Sequence, residues 1–223
     1  MLLQRQRSMK MLNKPLCASF NSIDELVLAD PNVSIKIHAL ANKNSGFPSR
    51  HNSGIILYGP YGTGKTTIAE LVPQIFESRV GNPNPAYYEF VRCGVVPSGI
   101  QMLTNIDQAT DLVSPCSLRD LHYVILDEAD NLSSEAMKRL KGLMNKQSTV
   151  FILTTNNIKA IDKGVQNRST LFHIDKPSAD QWLTFVKQHL DNLNDDLIME
   201  LIRTTDLSGR DITSAIYRAL NKN

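Results

Sequence analysis

The chain has 223 residues, a formal net charge of +2 and a hydrophobic fraction of 42%. This nearly balanced charge argues against wholesale nucleic-acid binding without excluding a local basic stripe, and no apolar run has the length of a membrane span. The three cysteines, Cys17, Cys93 and Cys116, are widely spaced, which argues against a disulfide framework and a zinc module and favours a reducing intracellular compartment such as the cytoplasm.

Residues 1–21 carry four basic side chains but no long apolar stretch, so we predict a basic leader rather than a secretory signal. Ser22 then suits the N-cap of a short helix or turn. Beyond it, short apolar runs typical of buried strands alternate with runs at helical spacing. The predicted strands are 55–58, 87–91, 123–126, 150–153 and 171–174, and the predicted helices are 33–41, 68–76, 100–112 and 133–146. This alternation predicts a three-layer α/β domain with a parallel five-stranded sheet.

The pattern changes after Pro177, where only helical spacing remains. Apolar residues mark three helices, around 182–190, 197–202 and 212–220. We therefore predict an α/β domain at 22–175, followed by a small all-α lid domain at 176–223.

A phosphate loop of the form G-x-x-x-x-G-K-[ST] lies between the first of these strands and a helix. Its glycines let backbone N–H groups converge on one point, where the helix N-terminus adds partial positive charge. We expect Lys65 to reach the β- and γ-phosphates and the Thr66 hydroxyl to bind Mg²⁺. An ordinary glycine-rich turn is the alternative interpretation. The predicted phosphate-binding residues are Gly59, Pro60, Tyr61, Gly62, Thr63, Gly64, Lys65, Thr66 and Thr67. Pro73 lies inside the helix and should kink or shorten it.

A pair of carboxylates follows the third predicted strand directly. Asp127 stands where phosphate-loop enzymes place the carboxylate that anchors the Mg²⁺ shell together with the loop hydroxyl. Glu128 is then placed to orient or deprotonate a water molecule that attacks the γ-phosphate. The fourth strand ends in polar residues 154–157, and a parallel sheet brings strand ends to the ligand crevice, where they could bond the γ-phosphate or that water. An acidic turn and a turn-initiating Thr/Asn cluster are the alternative interpretations.

Together, the phosphate loop, the Asp-Glu pair, an Asn after the next strand and a helical lid resemble the AAA+ ATPases. The segment from Asp127 to Ile174 is similar to the clamp-loader branch, which includes the replication factor C small subunits and the phage clamp-loader ATPase. It reads Asp-Glu-Ala-Asp, then Phe-Ile-Leu-Thr-Thr-Asn, then Gln-Asn-Arg-Ser. The segment from Pro15 to Leu28 also resembles the adenine-side entry of that branch. The resemblance implies ATP and Mg²⁺ as cofactors.

The resemblance also implies roles for three further residues. Asn156 would be sensor 1 and hold the attacking water. Arg168 would be an arginine finger that reaches the ATP site of a neighbouring subunit, where its charged planar fork stabilises the transferring phosphoryl group. Arg210 resembles sensor 2, a lid residue that touches the γ-phosphate. Either arginine could instead be an ordinary solvated surface residue.

The chain departs from the clamp-loader pattern in three places. Asn167 and Ser169 replace the Ser and Cys that flank the arginine finger. Arg92 stands where many relatives have a polar switch residue such as Asn. The chain also ends at Asn223, directly after the predicted lid, so we expect no collar domain.

The helix predicted at 133–146 carries a row of cations opposite its apolar stripe: Lys138, Arg139, Lys141 and Lys146. Such a row suits phosphate contacts that need no base reading, and in clamp loaders the corresponding region faces DNA. An ordinary solvated face is the alternative interpretation.

These features predict an ATP-hydrolysing subunit of a ring or spiral that assembles a partner on DNA. The expected partners are neighbouring AAA+ subunits, DNA, and a sliding clamp or a replicative helicase, with no membrane. The alternatives are another AAA+ loader or initiator, of the helicase-loader type, and a module that uses ATP as a switch with little turnover. The intact Lys65, Thr66, Asp127 and Glu128 argue against the switch. A DEAD-box helicase needs a second RecA-like domain, for which 223 residues are too few.

Overall fold

The computed structural model describes residues 20–49, 51–82, 86–94, 99–112, 114, 117–189 and 194–220. Most of the predicted basic leader, together with Cys17 and Cys116, lies outside these ranges. Interior contacts divide the chain into two units, one from Asp30 to Asp175 and another that joins residues up to Ala29 with those from Lys176 onwards. The sequence pattern assigns residues 22–29 to the α/β domain, whereas the contacts group them with the helical unit.

The larger unit contains, in its described part, one sheet of five parallel strands. In chain order they are β1 (Gly54–Tyr58), β2 (Glu89–Arg92), β3 (His122–Asp127), β4 (Thr149–Thr155) and β5 (Ser169–His173). Their order across the sheet is β2-β3-β4-β1-β5. The predicted parallel five-stranded sheet is confirmed. Because β4 lies between β1 and β3, the residues that follow these two strands flank the end of β4.

Five α-helices accompany this sheet within the described residues. In chain order they are α1 (Asn32–Ala41), α2 (Lys65–Ser78), α3 (Gly99–Ala109), α4 (Ser134–Leu143) and α5 (Lys163–Gln166). Successive side chains of a strand point to opposite faces of its sheet. Val124 accordingly packs in a buried cluster with Leu103 of α3 and Leu140 of α4, whereas its neighbour Tyr123 meets Phe76 of α2, with ring centroids 6.1 Å apart. Helices therefore cover both faces, which gives the predicted three layers.

Pro73 does not shorten α2, contrary to that expectation, since the helix continues for five residues beyond it to Ser78. The residues after the proline are held from outside the helix. Phe76 is fully buried and its ring lies 5.7 Å from that of Phe47. Tertiary packing thus compensates for the backbone hydrogen bond that a proline removes.

Glu77, near the end of α2, is a fully buried carboxylate with four hydrogen-bond donors. Ser117 Oγ donates at 2.6 Å and Tyr123 OH at 2.7 Å to one oxygen, while Asn82 Nδ2 donates at 2.8 Å and the Leu118 N–H at 2.9 Å to the other. Burial opposes ionisation, but these hydrogen bonds outweigh it and hold the pKa of Glu77 below its usual range. A single charge therefore ties the end of α2 to the start of β3.

The smaller unit is helical throughout its described part, as predicted. Its helices are α6 (Ala179–His189), α7 (Asp195–Arg203) and α8 (Gly209–Leu220), and a short 3₁₀ helix at Ile23–Glu25 begins at Ser22 as expected. Ser22 Oγ accepts the Asp24 N–H at 3.2 Å. The core of this unit contains Trp182, Val186, Ile198, Ile202, Ile212 and Ile216.

Within the described ranges, none of the helices combines the length and the apolar character that crossing a bilayer requires. Cys93 is buried, and this burial, together with the nearby Asp127, Asp130 and Glu128 carboxylates, raises the pKa of its thiol to about 12. Cys93 is thus an inert core residue rather than a reactive thiol.

We expect Glu77→Gln to lower the free energy of unfolding by about 1–3 kcal/mol, because it removes charge-assisted hydrogen bonds inside the core. The folded pKa of Glu77 is depressed, so its contribution is fully present above the unfolded value near 4.5 and is lost as the pH falls through the folded value. Urea unfolding of both proteins at neutral and acidic pH checks this. Glu135→Gln, at an exposed position in the first turn of α4, is the control and should change little. Equal stability of wild type and Glu77→Gln at neutral pH would contradict the assignment.

Candidate functional site

The loop that joins β1 to α2 has a backbone that requires glycine. Gly62 and Gly64 adopt φ angles of 75° and 85°, in the left-handed region that strains other residues. A Cβ atom on Gly59 would overlap the carbonyl oxygen of Ile174. Gly64 is also the N-cap of the 14-residue helix α2. The loop therefore presents a tight backbone cradle and a helix N-terminus at one point, which suits a phosphate group.

Lys65 folds back into this cradle. Its Nζ donates to the carbonyl oxygens of Gly59 at 3.0 Å and Pro60 at 2.6 Å, and the residue is only 7% exposed. Burial lowers the pKa of the ammonium to about 8, although the Asp127 and Asp130 carboxylates oppose this shift. The charge of Lys65 is thus held inside the loop, where an anionic ligand would stabilise it.

Asp127, at the end of β3, is the centre of the hydrogen-bonded site. Its Oδ1 accepts the hydroxyls of Thr66 and Thr154, each at 2.7 Å, and its Oδ2 lies 3.4 Å from Arg92 Nε. The carboxylate is 2% exposed. The hydroxyl and the carboxylate predicted to bind metal therefore lie together, although β4 separates the two strands that lead to them.

These groups fit Mg²⁺ by their chemistry. Mg²⁺ prefers oxygen ligands, and it usually takes one or two from the protein and the rest from phosphates and water. Thr66 and Asp127 supply a hydroxyl and a carboxylate next to the phosphate cradle. Asp130 also has a buried oxygen, Oδ1, that accepts no hydrogen bond from the described residues. A buried acceptor of this kind is expected where a polar ligand or ordered water completes a site.

Glu128 adopts a left-handed backbone conformation, with φ 57° and ψ 47°. Such a conformation costs on the order of 1–3 kcal/mol in a non-glycine residue, so it persists only where the surroundings impose it. The Glu128 N–H donates at 3.0 Å to Thr154 Oγ1, whose own hydrogen goes to Asp127. Asn131 Nδ2 lies 3.5 Å from Glu128 Oε2. At the half-buried Glu128 the backbone therefore turns away from the direction of β3.

The end of β4 differs from the expectation for residues 154–157. Thr154 and Thr155 are buried and bond within the chain, since Thr155 Oγ1 accepts the Asn157 N–H at 2.9 Å. Thr154 links Asp127 to Glu128, a role that the sequence does not reveal because it depends on a neighbouring strand. Asn156 follows β4 directly and is half-buried. Since Thr155 pairs with Tyr58 across the sheet, Asn156 lies beside the start of the phosphate loop.

Arg168 lies at the opposite ends of the strands from the phosphate loop, where β1 and β5 begin. It precedes Ser169, which pairs with Gly54 at the beginning of β1, so the length of β1, about 15 Å, separates it from the loop. Its Nε donates to Asn145 Oδ1 at 3.2 Å and its Nη1 to the Gly164 carbonyl at 3.0 Å. The structure does not bring Arg168 to the phosphate loop of its own chain.

Arg210 belongs to the helical unit, where it is the second residue of α8. The start of this helix is firmly held. Ser208 Oγ accepts the Asp211 N–H at 3.2 Å, and Asp206 Oδ1 accepts the Ser208 N–H at 2.8 Å. Lys176 Nζ in turn lies 2.9 Å from Asp206 Oδ2, and these contacts hold the pKa of Asp206 well below its usual range.

The predicted row of cations is largely neutralised, and its last member, Lys146, lies beyond the end of α4 at Leu143. Arg139 Nη2 lies 2.7 Å from Asp107 Oδ2, and Lys146 Nζ lies 2.7 Å from both Asp107 Oδ1 and Asp111 Oδ1. A longer ion pair of 3.9 Å joins Lys141 to Asp162. Three of the four predicted cations are therefore paired within the chain, which favours the interpretation of an ordinary solvated face.

Comparison with known proteins identifies the family. Residues 55–175, more than half of the chain, match the family model described as "ATPase family associated with various cellular activities (AAA)". The chain belongs to the AAA family of ATPases. The matched residues span the phosphate loop, the Asp127–Glu128 turn and Asn156.

Several AAA relatives are similar over part of their length. Replication factor C small subunit 2 of Pyrobaculum arsenaticum is 30% identical over 52% of this chain and 36% of the relative. Replication factor C subunit 3 of Oryza sativa subsp. japonica is 32% identical over 53% of this chain and 33% of the relative. A putative cell division cycle ATPase of Plasmodium falciparum is 26% identical over 79% of this chain and 16% of the relative. The chain spans about a third of the length of the replication factor C relatives.

Solved structures of another protein share the fold. A Thermotoga maritima RuvB mutant superposes with a TM-score of 0.66 at 16% identity, over 87% of this chain and 63% of that one. A second RuvB structure, described as a Holliday junction branch migration motor, gives a TM-score of 0.58 at 16% identity, over 92% of this chain and 73% of that one. At this identity the likeness concerns the fold alone.

We expect nucleotide affinity to be insensitive to pH below about 8 and to fall by up to roughly tenfold per pH unit above it. A bound phosphate favours the charged form of Lys65, so binding at alkaline pH must take up a proton. Titration with a fluorescent ATP analogue across this pH range checks the affinity, and calorimetry in buffers of different ionisation enthalpy checks the proton uptake. Lys65→Arg, whose guanidinium stays charged, is the control and should lose the dependence. A flat wild-type affinity across the alkaline range would show that Lys65 is not the titrating contact.

Proposed function

We propose that the chain is an ATP-hydrolysing subunit of a clamp-loader-like assembly that uses ATP to place a partner on DNA. The observation that carries this proposal is the shared use of Asp127. One carboxylate holds the Thr66 hydroxyl beside the phosphate loop and, through Thr154, positions the Glu128 turn. Phosphate binding, metal binding and a general base are thus supported by one hydrogen-bonded unit.

Each residue of the site has a distinct task in this proposal. The loop residues 59–67 and Lys65 bind the phosphates of ATP. Thr66 and Asp127 hold Mg²⁺, which neutralises charge on those phosphates when bound. Glu128 accepts the proton of the attacking water, and Asn156, at the same edge of the sheet, orients that water.

We also propose that the hydrolytic site is shared between subunits. Arg168 lies about 15 Å from its own phosphate loop, at the start of an edge strand. Because β5 is the outermost strand on its side of the sheet, an arginine at its start can reach a neighbouring subunit. Of its three nitrogens, Nη2 donates to no residue in the described part of the chain. Arg210 is proposed as the lid contact to the γ-phosphate, in keeping with its place at the start of α8.

The proposed partners are neighbouring AAA+ subunits, DNA and a sliding clamp. Support comes from the similarity to replication factor C subunits, which covers about half of this chain. Of the four predicted cations Lys138, Arg139, Lys141 and Lys146, only Lys138 has no ion pair among the described residues. We therefore do not base the proposed DNA contact on these side chains.

Glu128→Gln should lower ATP turnover by at least about 100-fold, because the amide cannot accept the proton of the attacking water. ATP affinity should change by less than about threefold, because the phosphate and metal contacts remain. Phosphate release and analogue binding measure the two quantities. Glu135→Gln, an exposed carboxylate in α4, is the matched control for the loss of one charge and should keep both. Undiminished turnover in Glu128→Gln would remove Glu128 from the catalytic role.

The same Glu128→Gln protein, held in its ATP state, also tests the partner. We expect a sliding clamp and primed DNA to be retained with it and to raise turnover of the wild type. Retention of a hexameric helicase instead of the clamp would replace the clamp-loader proposal with a helicase-loader function.

Arg168→Ala should have little turnover alone, and so should Lys65→Ala, but a mixture of the two should recover activity. In a random mixture half of the sites keep Lys65 and half of those face a neighbour with Arg168, so about a quarter of the sites become complete. Steady-state phosphate release of the mixture checks this, and Arg139→Ala serves as a control that should stay active unmixed. A mixture no more active than its components would refute the shared site.

A further inference from the structure

Arg92 is a cation beside Asp127, the carboxylate proposed to bind metal. Neither the phosphate loop nor the Glu128 turn depends on this arginine. It is the last residue of β2 and pairs with Asp127 in the sheet register. Its Nε lies 3.4 Å from Asp127 Oδ2. The Arg92 side chain is 57% exposed, whereas that of Asp127 is 3% exposed. A solvent-exposed guanidinium is therefore held by a buried carboxylate.

The two oxygens of Asp127 have different partners. Oδ1 accepts the Thr66 and Thr154 hydroxyls, which belong to the phosphate loop and to β4. Oδ2 has the Arg92 guanidinium. Arg92 thus places a positive charge next to Asp127, and the proposed metal would bind the same carboxylate.

A guanidinium and a divalent cation that share this carboxylate at close range repel each other. Mg²⁺ binds carboxylate oxygen at about 2.0–2.1 Å. A cation that remained about 3–4 Å from the same group would repel it strongly in a partly buried setting. Because the guanidinium is always charged, it can relieve this repulsion only by moving away. The exposure of the Arg92 side chain gives it room to do so.

The other charged groups near Asp127 do not replace its pairing with Arg92. Glu70, one helical turn after Thr66 on α2, is close enough to Asp127 for the two carboxylates to interact, since Asp127, after burial, raises the pKa of Glu70. Asp130 and Glu128 add further negative charge near Asp127, and Lys65 is engaged by the loop carbonyls. Arg92 is therefore an exposed cation beside a carboxylate that has further carboxylates near it.

We propose that Arg92 competes with Mg²⁺ for Asp127 and is displaced into solvent when the metal is loaded. The inference rests on the proposed ATPase function, because it presumes that Thr66 and Asp127 hold Mg²⁺ together with a nucleotide. Arg92 then acts as a positioning residue that holds the Asp127 carboxylate oriented before loading, and it sets the Mg²⁺ concentration at which the site fills. A merely structural ion pair would affect stability without changing that concentration.

The test is a Mg²⁺ titration of ATP-analogue binding in the wild type, Arg92→Gln, Arg92→Lys and Arg139→Gln. For each protein the Mg²⁺ concentration at half-maximal tightening of nucleotide binding is compared. Arg92→Gln should lower this concentration by about 3- to 10-fold, as expected for loss of a partly exposed competing ion pair. Arg92→Lys keeps the charge on a more flexible stem and should stay closer to the wild type. Arg139→Gln removes an arginine that pairs with Asp107 at 2.7 Å outside the site, so its midpoint should not move.

Two results would contradict the inference. An unchanged or higher midpoint in Arg92→Gln would mean that Arg92 does not compete with the metal. An equal shift in Arg139→Gln would assign the effect to net charge alone. Should Arg92→Gln unfold, the comparison of Arg92→Lys with the wild type in low and high salt decides, because competition by an exposed cation weakens with ionic strength. Failure of the wild type to bind the analogue at any Mg²⁺ concentration would instead overturn the proposed function.

Discussion

The hydrogen bonds to Asp127 are the interaction on which the site depends. In a sheet ordered β3-β4-β1, the phosphate loop and the acidic turn follow strands that are not neighbours. Thr154, at the end of the intervening strand, closes this gap by donating to Asp127 and accepting from the Glu128 N–H. Asp127 also accepts the Thr66 hydroxyl at the start of α2. Three segments, the start of α2, the end of β3 with its turn and the end of β4, are thereby fixed relative to one another around a single buried carboxylate. Pre-organisation of this kind underlies precise catalytic geometry.

Most of the fold follows from the periodicity of apolar residues. The central strands of a doubly covered parallel sheet are largely apolar, and the bounds of all five strands were predicted to within about two residues. Helix α5 was missed because four residues are too few to show a helical repeat. From its local chemistry, Pro73 was expected to kink or shorten α2. The helix is not shortened, because the hydrogen bonds of Glu77 and the packing of Phe76, which stabilise its end, come from distant segments.

The same limit applies to the site. Lys65, Thr66 and Asp127 are recognisable because the phosphate loop has a fixed spacing and the acid follows an apolar strand. The role of Thr154 cannot be recognised in the sequence, since nothing in its own segment shows that Asp127 lies beside it. The cations of α4 show the opposite error. Their spacing indicates a basic stripe, but Asp107 and Asp111 of the preceding segment neutralise much of it. Charge complementarity between elements is decided by tertiary contacts, which helical periodicity does not encode.

The separation of Arg168 from the phosphate loop has a consequence for symmetry. The two features lie at opposite ends of the β1–β5 pair, about 15 Å apart. In the proposed shared site, a subunit that gives its arginine to one neighbour and receives one from another makes a contact that joins two different surfaces and repeats head to tail. Such heterologous contacts form a closed ring or an open helix, depending on the rotation between subunits, whereas a two-fold dimer would exchange the two arginines reciprocally. In an open helix, one terminal subunit lacks a donor for its nucleotide site, and the other terminal arginine has no site to enter.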